Sequence, residues 1–250
     1  MLYHVLAWTC MLGALAAFAY KLPMLLRNKV DPALMALSSY FLLSFASFFL
    51  ELDAVWPRIA GVFGNVYAVM IISDSAVILL TAAQQIVLVY WSYPPREARP
   101  KVRRRFFIFG GLLLSVVGIF YWAQPSTRFE KAETANVLNM HNLRFAAYLA
   151  CVTAVVAVGQ LVTMRLCLRY AGMISRSWLR LGMRAVVAGS VFILIYCAMR
   201  LVTIIGVQSG ADMVAWEPVR WLAGDIGSLL ELIGWTIPGW GPALSTGHQW

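Results

Sequence analysis

Four ionisable side chains stand well inside apolar stretches of this 250-residue sequence: Asp74, Arg200, Asp225 and Glu231. In hydrocarbon each is destabilising by about 2.5–3.5 kcal/mol on insertion scales unless it is paired or hydrated. Such groups therefore turn into a helix bundle and mark candidate ion or solute pathways. A carboxyl group there can share a proton, bind a cation or neutralise an arginine.

Their spacing selects faces. Tyr67, Asp74, Thr81 and Gln85 follow i, i+7, i+14 and i+18, so at 100° per residue they share one narrow helix face. Gln84 borders it. The stripe runs about 27 Å at 1.5 Å per residue. It has two readings: the lining of a hydrated path, or a hydrogen-bonded seam against neighbouring helices. Gly224, Gly227, Ser228 and Glu231 follow i, i+3, i+4 and i+7. Small residues on one face permit close helix approach, and Glu231 shares that face. Depth along adjacent antiparallel spans matches Arg200 with Asp225, which predicts a structural Arg200–Asp225 ion pair. Asp74 and Glu231 then lie near mid-depth without an assigned cation, where they are the candidate coupling carboxylates, with Tyr67, Thr81 and Gln85 beside them.

The elements that position these residues are long. The chain is 61% hydrophobic and 12% charged, whereas soluble domains are nearer a quarter charged. About 20 apolar residues cross a bilayer as a helix. Seven stretches qualify, at roughly 2–22, 33–50, 63–91, 106–123, 143–168, 182–207 and 218–238. They lack the alternation of barrel strands and are too long for them. The expectation is an all-α, polytopic integral membrane protein: one domain, 1–250, of seven transmembrane helices.

Charge orients it. Lys21, Arg27 and Lys29, the six cations from Arg96 to Arg105, and Arg165, Arg169, Arg176, Arg180 and Arg184 lie on one side. Arg58, Arg128, Lys131, Arg144 and Arg220 lie on the other. The positive-inside rule places the N-terminus outside and the C-terminus in the cytoplasm. Trp56, Trp91, Trp122, Trp216 and Trp221 fall near span ends, where indoles favour the headgroup region. Ala17-Phe18-Ala19 has the form of a cleavage site, but no basic segment precedes the apolar core, so the first span is expected to be retained.

Several chemistries are excluded. The basic surplus is topological and meets anionic membrane lipids; no nucleic-acid module is present. Cys10, Cys151, Cys167 and Cys197 show no metal spacing and read as free apolar thiols. The seventh stretch has no lysine for a retinal Schiff base, and His4, His141 and His248 are not placed to hold a haem across a bilayer. No cofactor, no metal and no enzyme signature is expected.

Three spans, a linker span and three more would suit a duplicated transporter, although the two sets share no convincing self-similarity. Pro-Gln dipeptides of seven-helix exporters are absent. The connection 124–142, with Pro125, Asn136, Asn139 and His141, is either a surface link or a ligand lid.

The run from Gln85 through Tyr90-Trp91 and Pro94-Pro95 to Arg105, and Trp178-Leu-Arg180-Leu-Gly182-Met-Arg184 leading into Gly189, Tyr196 and Arg200, resemble actinobacterial seven-helix membrane proteins described as transporters. The resemblance covers most of the chain and implies a multi-pass plasma-membrane protein. That family carries a cytosolic C-terminal domain, so a chain ending at Trp250 reads as a short or truncated member. The expected function is transport of a small solute or ion, with proton coupling through Asp74 and Glu231. The alternative is a non-transporting sensor or accessory subunit. It would assemble with a protein partner or a second copy through small-residue faces such as Ala185/Gly189.

Overall fold

The computed structural model describes residues 2–27, 31–52, 54–63, 66–123, 137 and 139–239. Every regular element among them is helical: α1 (Leu2–Arg27), α2 (Pro32–Glu51), α3 (Trp56–Phe63), α4 (Val66–Ser92), α5 (Pro95–Ala123), α6 (Leu143–Met173), α7 (Ser177–Gln208) and α8 (Glu217–Gly239), with a 3-10 turn at Val214–Trp216. Six of these, α1, α2, α4, α5, α6 and α7, are long and apolar enough to cross a membrane. The chain is a helical, multi-pass membrane protein. The seventh expected span coincides with α8, but Asp225, Glu231 and its glycines dilute the apolarity of that helix.

Local chemistry sets the helix ends. Asp31 caps α2, its carboxylate accepting from Ala33 N (2.9 Å) and Leu34 N (3.2 Å) just before Pro32, as an N-cap acid before a first-turn proline should. Asn142 caps α6 by accepting from Arg144 N. The end of α7 is a Schellman motif. Gly210 there has φ +86°, Ala211 N donates to Gly206 O, and Gly210 N donates to Val207 O.

One boundary departs far from expectation. The apolar pattern leaves residues 95–105 in a loop, yet they form the first turns of α5. Hydropathy marks where lipid begins, not where a helix ends. Arg, Lys, Glu and Ala are good helix formers, and Glu97 faces Lys101 at 3.9 Å one turn on. Lys21, expected in a connection, is likewise helical and buried in α1. The residues 124–136, including Pro125, Arg128, Lys131 and Asn136, lie outside the described residues, as do Lys29, His248 and the side chain of Tyr67.

Six helices close a ring in the order α1–α2–α4–α6–α7–α8, with α8 returning to α1. Helix α5 sits outside it, against α4 and α6. Its outer face is broad and apolar, with Phe106, Phe107, Leu114 and Tyr121 each more than 60% exposed. The tightest joint is α7 on α8, where the glycines meet backbone to backbone. A Cβ at Gly189 would lie 2.6 Å from Gly227 O, and one at Gly234 would lie 2.7 Å from Gly182 O. Gly189 is thus packed against α8 within the chain.

Candidate functional site

The ring encloses a cavity of about 370 Å³. It lies toward the end that carries the start of α1 and the end of α2, with His4, Trp8 and Glu51 on its wall. It reaches inward to Gln160 and Glu231. Helix α5 contributes nothing to the wall.

Four carboxyl groups line this space: Glu51 from α2, Asp74 from α4, and Asp225 and Glu231 from α8. The sequence pattern singles out three of them. It passes over Glu51, which ends its apolar stretch rather than interrupting it. Glu51 accepts from Ser73 Oγ at 2.9 Å. Asp74 accepts from Tyr148 Oη at 2.6 Å, so an aromatic hydroxyl from α6, not a cation, holds it. Asp74 and Asp225 each sit roughly two turns inside the same end of their helices, α4 and α8.

Glu231 forms the innermost cluster and is fully buried. Its Oε2 accepts from Gln84 Nε2 at 2.5 Å. Its Oε1 lies 3.0 Å from Ser190 Oγ, which also lies 3.0 Å from Gln160 Oε1. One serine hydroxyl has one hydrogen for two oxygen acceptors. The cluster therefore requires a further proton on Glu231 or a turned Gln160 amide. Helices α4, α6, α7 and α8 all meet at this point. Below it, toward the basic end, Trp235 packs at a tilt against Tyr40 and Trp91, with centroids 5.7 and 5.9 Å away.

The Arg200–Asp225 pair does not form. Arg200 Nη1 donates to Tyr196 Oη at 2.9 Å, one turn away on its own helix. Tyr196 Oη also accepts from Arg220 Nη1 at 3.1 Å. Arg220 grips Glu217 through two contacts, Nε to Oε1 at 3.1 Å and Nη2 to Oε2. Matched depth is a sound premise, but it ignores rotation about the helix axis. Both residues line the cavity, but Arg200 bonds to Tyr196, and the contact seen at Asp225 is that of Cys10 Sγ of α1 with its backbone oxygen. Arg220 and Glu217, which charge alone would assign to the surface, are buried.

The polar stripe on α4 divides. Asp74 faces the cavity, whereas Thr81 and Gln85 form a seam with α6. Thr81 Oγ1 donates to Val77 O at 2.9 Å, and its methyl fills the space above Gly159. Gln85 Nε2 donates to Gly159 O at 3.2 Å, and its Oε1 accepts from Arg105 Nε at 3.2 Å. The bordering residue, Gln84, is the one that reaches the cluster.

On the cavity wall, Arg200 Nε and Trp221 Nε1 are buried without a protein partner. Buried donors of that kind call for water or a polar solute. Among the described residues no group of three or more His, Cys, Asp or Glu is placed to hold a metal ion; the four carboxyls surround a solute-sized space instead. The four cysteines are free.

Comparison with protein-family models, curated proteins and solved structures finds no match for this chain.

Proposed function

We propose that this protein is a plasma-membrane transporter of a small solute or ion, proton-coupled through Glu231 and Asp74. The observation that carries this reading is the cavity of about 370 Å³ inside the helical ring, with four carboxyl groups and Arg200 on its wall. Intramembrane ionisable groups that border a hydrated space are the usual machinery of coupled transport.

Three further features support it. The cavity reaches toward one end of the bundle, and the Glu231 cluster and the tilted Tyr40, Trp91 and Trp235 rings fill the bundle on its other side. The ring divides into two sets of three, α1–α2–α4 and α6–α7–α8, with α5 as the odd helix between them. Parallel three-helix halves around a central site are a known transporter plan. Each half supplies two carboxyls, one of them two turns into its third helix. In this reading α8 is the seventh span, the N-terminus is outside and the C-terminus cytoplasmic, so the cavity faces outward. The resemblance to the actinobacterial seven-helix family points the same way.

Four carboxyls against one lining arginine favour a cation or a zwitterion over an anion. The rival role is a sensor or accessory subunit assembling through small-residue faces such as Ala185/Gly189, of which Gly189 packs against α8.

The test is reconstitution in vesicles loaded with a pH-sensitive dye and challenged with a panel of cationic and zwitterionic amino acids and of alkali cations. The wild type should move protons with at least one of these, and Glu231→Gln should not. Equal proton fluxes in the two proteins, or none in either, would remove the coupled-transport reading.

A further inference from the structure

We propose that the groove between α4, α5 and α6 binds one anionic phospholipid from the leaflet at the basic end of the bundle. This site shares no wall residue with the central cavity, and the proposal stands whether or not the protein transports.

Helix α5 leans on the ring from outside and leaves a groove of about 630 Å³. Its floor and sides are apolar: Phe109 and Leu112 from α5, Val155 and Val162 from α6. At its lips Ile108 and Val158 are 48% and 61% exposed, so it opens sideways, at the depth of lipid chains. Along α6 it extends from Cys151 to Val162, about 16 Å at 1.5 Å per residue. That is roughly half the hydrocarbon thickness, or one leaflet.

The mouth is basic. Lys101, Arg104 and Arg105 stand on its rim. Lys101 and Arg105 are held in place, and Arg104 is exposed. Lys101 Nζ sits 3.3 Å from the Tyr93 ring centroid, Arg105 Nε donates to Gln85 Oε1, and Arg169 Nη1 donates to Tyr93 Oη at 3.0 Å. Among the described residues Glu97, 3.9 Å from Lys101, is the one carboxylate paired with these cations, so the rim keeps a clear positive excess.

A basic rim above an apolar slot one leaflet deep matches both parts of an anionic lipid. Basic pockets between transmembrane helices on the cytoplasmic side are established headgroup sites. A soluble phosphate would satisfy the rim and leave the slot unused. A zwitterionic lipid would fill the slot and gain little from the rim. Charge and shape together therefore select the anionic lipid.

The test is native mass spectrometry of the purified full chain, titrated with phosphatidylglycerol and with phosphatidylcholine of equal chain length. The first phosphatidylglycerol should bind at least tenfold more tightly. The double variant Lys101→Gln/Arg104→Gln should bind it roughly thirtyfold more weakly, and Arg104→Lys should bind as the wild type does. Val158→Trp, which fills the slot and leaves every cation in place, should also lose it. Soluble glycerol phosphate should not displace the lipid. Equal affinity for the two lipids, undiminished binding by Val158→Trp, or displacement by glycerol phosphate would each overturn the proposal. If the double variant fails to fold, the two-lipid comparison and Val158→Trp still separate these outcomes.

Discussion

Gln84 Nε2 donates to Glu231 Oε2 at 2.5 Å, joining α4 to α8 beneath the cavity. This bond links the two halves of the ring at their innermost polar point. An amide at position 231 can still accept from Gln84 and still meet Ser190, but it carries no titratable proton. Glu231→Gln should therefore keep the wild-type melting temperature within a few degrees and abolish proton movement. Gln84→Leu should be far from neutral. It strips a buried carboxyl of a donor, at a cost of about 1–3 kcal/mol, and lowers the melting temperature in detergent.

Tyr148 and Asp74 make a second test of the same kind. Removing the hydroxyl in Tyr148→Phe leaves a buried carboxyl oxygen without its 2.6 Å donor. A loss of about 1–3 kcal/mol is expected. Asp74→Asn keeps an acceptor for Tyr148 and should be better tolerated in unfolding measurements, while reducing transport if Asp74 takes part in coupling. A fully active Asp74→Asn would confine this residue to a structural role.

The arginines can be separated by double-mutant cycles. Arg220 and Glu217 form a buried ion pair, and removing one partner of such a pair destabilises by about 3–5 kcal/mol. A cycle on Arg220→Met and Glu217→Leu should show strong coupling. The corresponding cycle on Arg200 and Asp225 should be additive within about 0.5 kcal/mol, because Arg200 bonds to Tyr196 instead. A large Arg200–Asp225 coupling would contradict the geometry.

The α7–α8 joint is intolerant of volume. A methyl group at Gly227 would meet Ile193 Cγ1 at 2.8 Å and Gly189 O at 2.9 Å. The second contact is backbone and cannot rotate away. Gly227→Ala should destabilise by about 1–3 kcal/mol, the usual range for overpacking. The substitution Gly118→Ala on α5, where nothing lies within 4 Å, is the control and should stabilise slightly, by up to about 1 kcal/mol. Unfolding midpoints of the two variants make the comparison.

Orientation is open to a direct chemical check. With the four native cysteines replaced, Ser209→Cys, exposed just past α7, and Arg104→Cys at the basic end report opposite sides. A membrane-impermeant maleimide added to whole cells should label position 209 and not position 104. The opposite pattern would invert the topology.

The amino-acid sequence by itself determined the environment and the number and order of the long apolar elements. Both follow from local quantities: apolar residues in runs of about 20, and basic residues gathered into alternate connections. Helical periodicity also placed Asp74 and Glu231 on inward faces, because a charge in hydrocarbon has few alternatives. What it could not supply was azimuth, the rotation of each helix against its neighbours. Arg200 and Asp225 line one cavity without pairing, because Arg200 bonds to Tyr196 instead, and only packing shows it. The same rotation sends Gln84 to Glu231 and Gln85 to Gly159, although the two glutamines are adjacent. Only the tertiary structure decided that α5 stands outside the ring. Its apolar composition resembles that of the other spans, and its place follows from the close α7–α8 glycine joint and the closure of α8 on α1. Glu51, Gln160 and Ser190 joined the site for the same reason: each is ordinary in its own helix and becomes significant only through what the neighbouring helix presents to it.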